Sequence, residues 1–160
     1  INLRPFKGLK LSTFEEDLNI NFLSMVKTLQ KVLNNLKKST SSSVVLYSTV
    51  AVKVGMPFHS SVSASKGAIE GFSKSLAAEL APNVRVNVIA PSLTDTPMAS
   101  RFLNNDLKKE KVSDRHPLKR HGHAKDIANS TAFLLSDESS WVTGQILGVD
   151  GGMSTLNTSN

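Results

Sequence analysis

Val84-Arg85-Val86-Asn87-Val88-Ile89-Ala90-Pro91 is the stretch on which the fold turns. Its β-branched run reads as a strand from 84 to 90, ended by a proline that cannot donate to a ladder. Just upstream, Pro82-Asn83 breaks a helix expected from about 61 to 80, whose apolar stripe is Ile69, Phe72, Leu76, Ala77 and Leu80. Ala64, Gly67, Ala68 and Gly71 on that helix are small enough to let another backbone approach closely. Before it, residues 49–61 contain Gly55 and Pro57 and read as a loop. Val44-Val45-Leu46-Tyr47 reads as a short strand buried on both faces.

Further upstream, Ser12-Thr13-Phe14-Glu15 has the form of a capping box. It predicts a helix from about 13 to 37, along which Leu18, Phe22, Met25, Leu29, Val32, Leu33 and Leu36 recur at helical spacing. Downstream of the deciding strand, residues 95–120 are polar, charged and weakly periodic, the pattern of a mobile lid over a site. A helix is expected over about 124–136, and Ile146-Leu147-Gly148-Val149 reads as a last strand ended by Asp150-Gly151-Gly152. Helices and strands therefore alternate, which predicts a parallel α/β sheet.

Composition narrows the function classes. A chain of 160 residues, 39% hydrophobic and 20% charged, fits one domain. The absence of cysteine excludes a disulfide framework and any Cys-ligated zinc or iron–sulfur site. No apolar run approaches the roughly 18–20 residues of a membrane span. Ile1-Asn2-Leu3-Arg4-Pro5 lacks the basic start of a signal peptide, so a cytoplasmic protein without a membrane partner is expected. The net charge of +6 comes from 19 basic and 13 acidic residues. Lys108, Lys109, Lys111, Arg115, Lys119, Arg120 and Lys125 concentrate it in one stretch. One Trp and one Tyr offer few stacking platforms, so a solvated basic surface is expected, with no nucleic acid partner. His116, His121 and His123 have no suitably spaced acidic or Cys partner, and no metal is expected. Asn129-Ser130-Thr131 has the glycosylation pattern but falls on an amphipathic helix.

Four motifs occur in order and at consistent spacing. They are Asp17-Leu18-Asn19-Ile20-Asn21; Ser63-Ala64-Ser65-Lys66-Gly67-Ala68; Arg85 to Pro91 with Thr94-Asp95-Thr96-Pro97-Met98; and Thr143-Gly144-Gln145-Ile146 with Val149 to Gly152. Together they resemble the C-terminal two-thirds of a short-chain dehydrogenase/reductase. The resemblance implies a Rossmann-like parallel sheet with helices on both faces, NAD or NADP as cofactor, and a small carbonyl or alcohol substrate. A homodimer or homotetramer is implied as well. Residues 1–160 then form the C-terminal part of one such domain. Its N-terminal strands and Gly-rich pyrophosphate turn, roughly 75–90 residues, would precede Ile1.

The same resemblance assigns site residues. Lys66 would hold the nicotinamide ribose and lower the pKa of a neighbouring group. Thr49 or the adjacent Ser48 would bind the substrate oxygen, and Asn21 would support a relay water. Pro91, Ser92, Leu93 and Thr96 would form the turn over the nicotinamide, with Ser92 where the family usually has glycine. Each has a plainer alternative: a solvated lysine, loop hydroxyls bonded to nearby backbone, an amide bridging helix carbonyls, and an N-cap at Thr96. The family's proton donor is a tyrosine four residues before the lysine, and that position is Val62. The expectation is an oxidoreductase with an atypical proton donor, such as a water held by Asn21, Lys66 and Thr49, or His59 nearby. The alternative is a nucleotide-binding or regulatory protein without redox chemistry, and a remote one, resting on charge alone, is a basic nucleic-acid-binding module.

Overall fold

A computed structural model describes residues 2–158 of the chain. Helix α1 (Leu11–Leu18), a π-helical turn (Asn19–Leu23) and α2 (Ser24–Lys38) follow one another without a break. The wide turn frees carbonyls, and two side chains take them up. Asn21 Nδ2 donates to the Asp17 carbonyl at 2.9 Å, and Ser24 Oγ to that of Ile20 at 2.5 Å. The capping box does not form. The helix already begins at Leu11, with Lys10 at the N-cap and no side-chain cap bond. Ser12 is exposed, so water can serve the first-turn amides.

Strands β1 (Ser42–Tyr47), β2 (Val84–Pro91) and β5 (Ile146–Val149) form a parallel sheet in the order β1-β2-β5. Ser42 pairs with Val84 and Val88 with Ile146. β2 is central and buried on both faces. β1 was expected to be so, but it alternates between buried and half-buried positions, and Tyr47 is 42% exposed. The reason is position: among the described residues β1 has a neighbour on one side only.

Helix α4 (Ser60–Leu80) and the α2 region cover one face of the sheet. Ile69, Ala77 and Leu80 meet Val44, Leu46, Val86 and Val88 there, with Phe22, Met25 and Leu29 packed alongside. Phe22 meets Phe72 edge-on, with ring centroids 5.6 Å apart. Helix α6 (Ala124–Leu135) lies on the opposite face, where Tyr47 OH pairs with Thr131 Oγ1 and Ser43 Oγ donates to the Leu134 carbonyl. A Cβ on either glycine of α4 would meet no close backbone within the described chain. A Cβ on Gly67 would meet Val52 at an ordinary 3.8 Å, and one on Gly71 would meet nothing within 4 Å.

The expected 49–61 loop contains a one-turn helix, α3 (Val50–Lys53). The expected lid contains a 3-10 helix (Pro97–Phe102) and α5 (Asp106–Asp114). Its two ends are held together by β3 (Thr94–Asp95) pairing in parallel with β4 (Gly122–His123). Gly122 suits the spot, because a Cβ there would come tightly within 3.1 Å of Thr94 Oγ1. No helix of the described residues is long and apolar enough to cross a membrane.

Candidate active site

Lys66 sits in the first third of α4, and its ammonium donates to the Tyr47 carbonyl at the C-terminal end of β1, at 3.0 Å. Burial pushes its pKa below the usual lysine range. Asn21 on the π-turn shares a hollow of about 190 Å³ with Lys66, walled by Met25, Leu46, Tyr47 and Ile69. The structure thus joins two residues that lie far apart in sequence. Val62, expected from the sequence at the family's phenol position, is one helical turn before Lys66 and 7% exposed.

Ser48 and Thr49 do not border that hollow. The two hydroxyls part company. Ser48 is buried, its amide donates to the Ile89 carbonyl at 2.8 Å, and its Oγ donates to Glu70 Oε1 at 2.5 Å. Its hydroxyl is thereby committed to α4. Thr49 is the N-cap of α3 and accepts a long 3.3 Å bond from the Ala51 amide. Of the pair, Thr49 keeps hydroxyl hydrogen-bonding capacity to spare. Glu70, which makes this distinction, was not singled out in the sequence. It lies four residues after Lys66, and that spacing was the available signal.

The turn after β2 forms a second centre. Ser92 and Leu93 line a cavity of about 340 Å³ together with His116, Arg120, Asp126 and Asp150. Thr94 Oγ1 donates to the Ser92 carbonyl at 3.0 Å, and the Gly122 amide to the Leu93 carbonyl at 3.0 Å. Thr96 stands at the N-cap of the 3-10 helix but makes no cap bond, and its Oγ1 donates to the Thr94 carbonyl at 3.4 Å. Arg120 and Asp126 form a paired-fork salt bridge at 2.7 and 2.9 Å. The guanidinium, followed by the His123 amide, holds the Asp126 carboxyl at a pKa of about 2.

The histidines separate. His116 is buried, with Ser92 Oγ at 2.7 Å from Nε2 and the Val112 carbonyl at 2.7 Å from Nδ1. His121 and His123 stack edge to face, 5.4 Å apart. His59 starts α4 and its Nδ1 donates to the Pro57 carbonyl at 2.7 Å.

The family model described as enoyl-(acyl carrier protein) reductase matches residues 2–154. The chain is 38% identical over 154 residues to a peroxisomal 2,4-dienoyl-CoA reductase, (3E)-enoyl-CoA-producing, from Saccharomyces cerevisiae, covering 96% of this chain and 52% of that protein. It is 36% identical over 146 residues to a 3-oxoacyl-[acyl-carrier-protein] reductase from Thermotoga maritima, covering 91% and 58%. It superposes on a short-chain dehydrogenase/reductase from Mycobacterium ulcerans with a TM-score of 0.89 at 27% identity, covering 96% of this chain and 56% of the other. A gluconate 5-dehydrogenase from Burkholderia cenocepacia, at 21% identity and a TM-score of 0.90, shares the fold, with 98% and 62% covered. The chain belongs to the short-chain dehydrogenase/reductase family. It spans a little over half the length of the two curated relatives.

Proposed function

We propose that the whole protein is an NAD(P)-dependent reductase of a conjugated, unsaturated acyl thioester. Buried Val62 at the family's phenol position carries this reading. Reducing a ketone places charge on an oxygen that must be protonated as hydride arrives, and losing the general acid costs about 10²–10⁴ in rate. Hydride added to the far end of a conjugated thioester leaves an enolate instead. Its oxygen needs hydrogen-bond donors, and its carbon then takes a proton from water. For a 2,4-dienoyl thioester, two electrons and one hydrogen arrive as hydride at the far carbon, one proton arrives from solvent at the carbon beside the carbonyl, and the two conjugated double bonds become one at position 3. The name of the yeast relative, at 38% identity, describes this change.

The residues present fit a nicotinamide ribose. The Lys66 ammonium spends one donor on Tyr47, leaving others for sugar hydroxyls. The Ser92 side chain is drawn to His116. A bound NAD(P)H supplies the hydride. In this reading Lys66 holds the ribose, Thr49 donates to the thioester oxygen, Asn21 holds a water, and Thr96 extends the Pro91-Ser92-Leu93 turn.

A second reading, a carbonyl reductase with an atypical proton donor, is favoured by the Thermotoga relative. Steady-state assays of the full-length protein with NADH or NADPH separate the two. Oxidation with a 2,4-dienoyl thioester is expected to exceed that with a 3-oxoacyl thioester by at least about a hundredfold. The reverse order overturns the proposal, and cofactor binding without turnover of either supports a regulatory protein.

We also propose a homodimer or homotetramer. Trp141 is 99% exposed, and Leu11, Ile20 and Leu23 lie exposed along the α1–α2 stretch. Light scattering at micromolar concentration is expected to give a multiple of the subunit mass; a monomer would rule assembly out.

A further inference from the structure

His116 was a poor metal candidate in the sequence, yet its ring is only 3% exposed and both its nitrogens are engaged. A carbonyl can only accept, so Nδ1 carries the proton toward Val112 O. In the neutral ring Nε2 is then an acceptor, and Ser92 Oγ–H donates to it at 2.7 Å. The Met153 sulfur lies 3.2 Å from the same oxygen. One side chain therefore bridges the last turn of α5 and the turn that follows β2.

Nothing else between β3 and β4 ties α5 to that turn through a side chain among the described bonds. The neighbouring anchors are backbone bonds or packing. The Leu118 amide donates to the Gly151 carbonyl at 3.1 Å, and Pro117 packs where a Cβ on Gly152 would intrude at 3.2 Å. These anchors fix the end of the lid against the sheet, while His116 links the lid to the cofactor turn itself.

We propose that His116 is a positioning residue: through Ser92 it couples closure of the 97–118 lid to the conformation of the turn over the nicotinamide. The role of the turn rests on the reading given under Proposed function; the bridge itself does not. The coupling works because the hydroxyl at 92 is short. It has few orientations, so holding it holds the backbone of the turn that bears it. In a site that closes over its ligands, cofactor seated on the turn would then order α5, and an ordered α5 would slow cofactor release.

The test uses the full-length protein and two variants, His116→Ala and Ser92→Ala. The second removes a single hydroxyl and preserves the fold even where the first leaves a cavity. Amide hydrogen exchange and NADPH dissociation constants, by nicotinamide fluorescence, are measured for both and for the double variant. Each single variant is expected to speed exchange across 106–118 and weaken NADPH binding, by roughly three- to tenfold, the usual worth of one hydrogen bond. The double variant is expected to lose no more than either single one. A merely structural role predicts instead faster exchange in β2 and α4 as well, with additive losses, and that result overturns the coupling. So does unchanged exchange over 106–118 in Ser92→Ala. Should the unaltered protein bind neither NADPH nor NADH, the functional reading fails, while the exchange pattern still decides whether the bridge holds the lid.

Discussion

Val62→Tyr is expected to raise reduction of a 3-oxoacyl thioester by about two to four powers of ten, the range of general-acid catalysis. Residues four apart on a helix share a face, so a phenol at 62 would stand over Lys66. The lysine charge would lower the phenol pKa and ready it to give up its proton. Activity on a dienoyl thioester is expected to change far less, because that reaction leaves no alkoxide to protonate. The cost falls on packing. Val62 is 7% exposed, and a ring there crowds its neighbours by about 1–3 kcal/mol. Steady-state rates with both thioesters, read beside melting temperatures, check the outcome. A folded, cofactor-binding Val62→Tyr protein with unchanged carbonyl reduction would sink the lost-donor account. His59, already committed to the Pro57 carbonyl, would be the next residue to replace.

The second large effect concerns stability and comes from Arg85. Its guanidinium is buried on β2 and reaches the end of α6. It donates to the carbonyls of Leu134 and Ser136, both at 3.0 Å, and to Ser139 Oγ at 2.7 Å. The last carbonyls of a helix have no partner within it, and the partial negative charge there suits a cation. Arg85→Met would keep the aliphatic path and remove every donor. The Leu134 carbonyl keeps the Ser43 hydroxyl and the Ser136 carbonyl keeps Ser139, so neither is orphaned, and losing the hydrogen bonds of the charged guanidinium predicts a loss of about 1.5–3 kcal/mol. Arg85→Lys is expected to recover only part of it, since a single ammonium cannot reproduce the fork. Denaturant unfolding of the full-length protein provides the measurement. A loss below about 1 kcal/mol for Arg85→Met would mean that water or a relaxed helix end replaces the guanidinium.

Arg85 also shows where local reading stops. The period-two pattern of Val84 to Ala90 is a property of neighbours, so the strand was legible. Helix α4 was legible for the same reason, from its stripe and from the Pro82 break. Arg85 and Asn87 are polar residues on an apolar strand, and their partners lie beyond residue 133. Asn87 spends its amide on Val142 and Gln145, closing the turn into β5. Only the folded chain brings those groups together. The π-turn at Asn21 has no signature in periodicity, because one wide turn barely disturbs a helical stripe.

By itself, the sequence determined the alternation of helices and strands and the family, both of which depend on residue type and short spacing. The tertiary structure decided what depends on distant partners. It made β1 a half-buried strand with one neighbour in the described sheet. It committed Ser48 to Glu70 and left Thr49 with hydroxyl capacity to spare, a choice two adjacent hydroxyls cannot reveal in sequence. It turned His116 from one of three scattered histidines into a buried bridge to Ser92. A hydrogen bond needs its two groups within about 3 Å, and for residues far apart along a chain only the packed fold sets that distance.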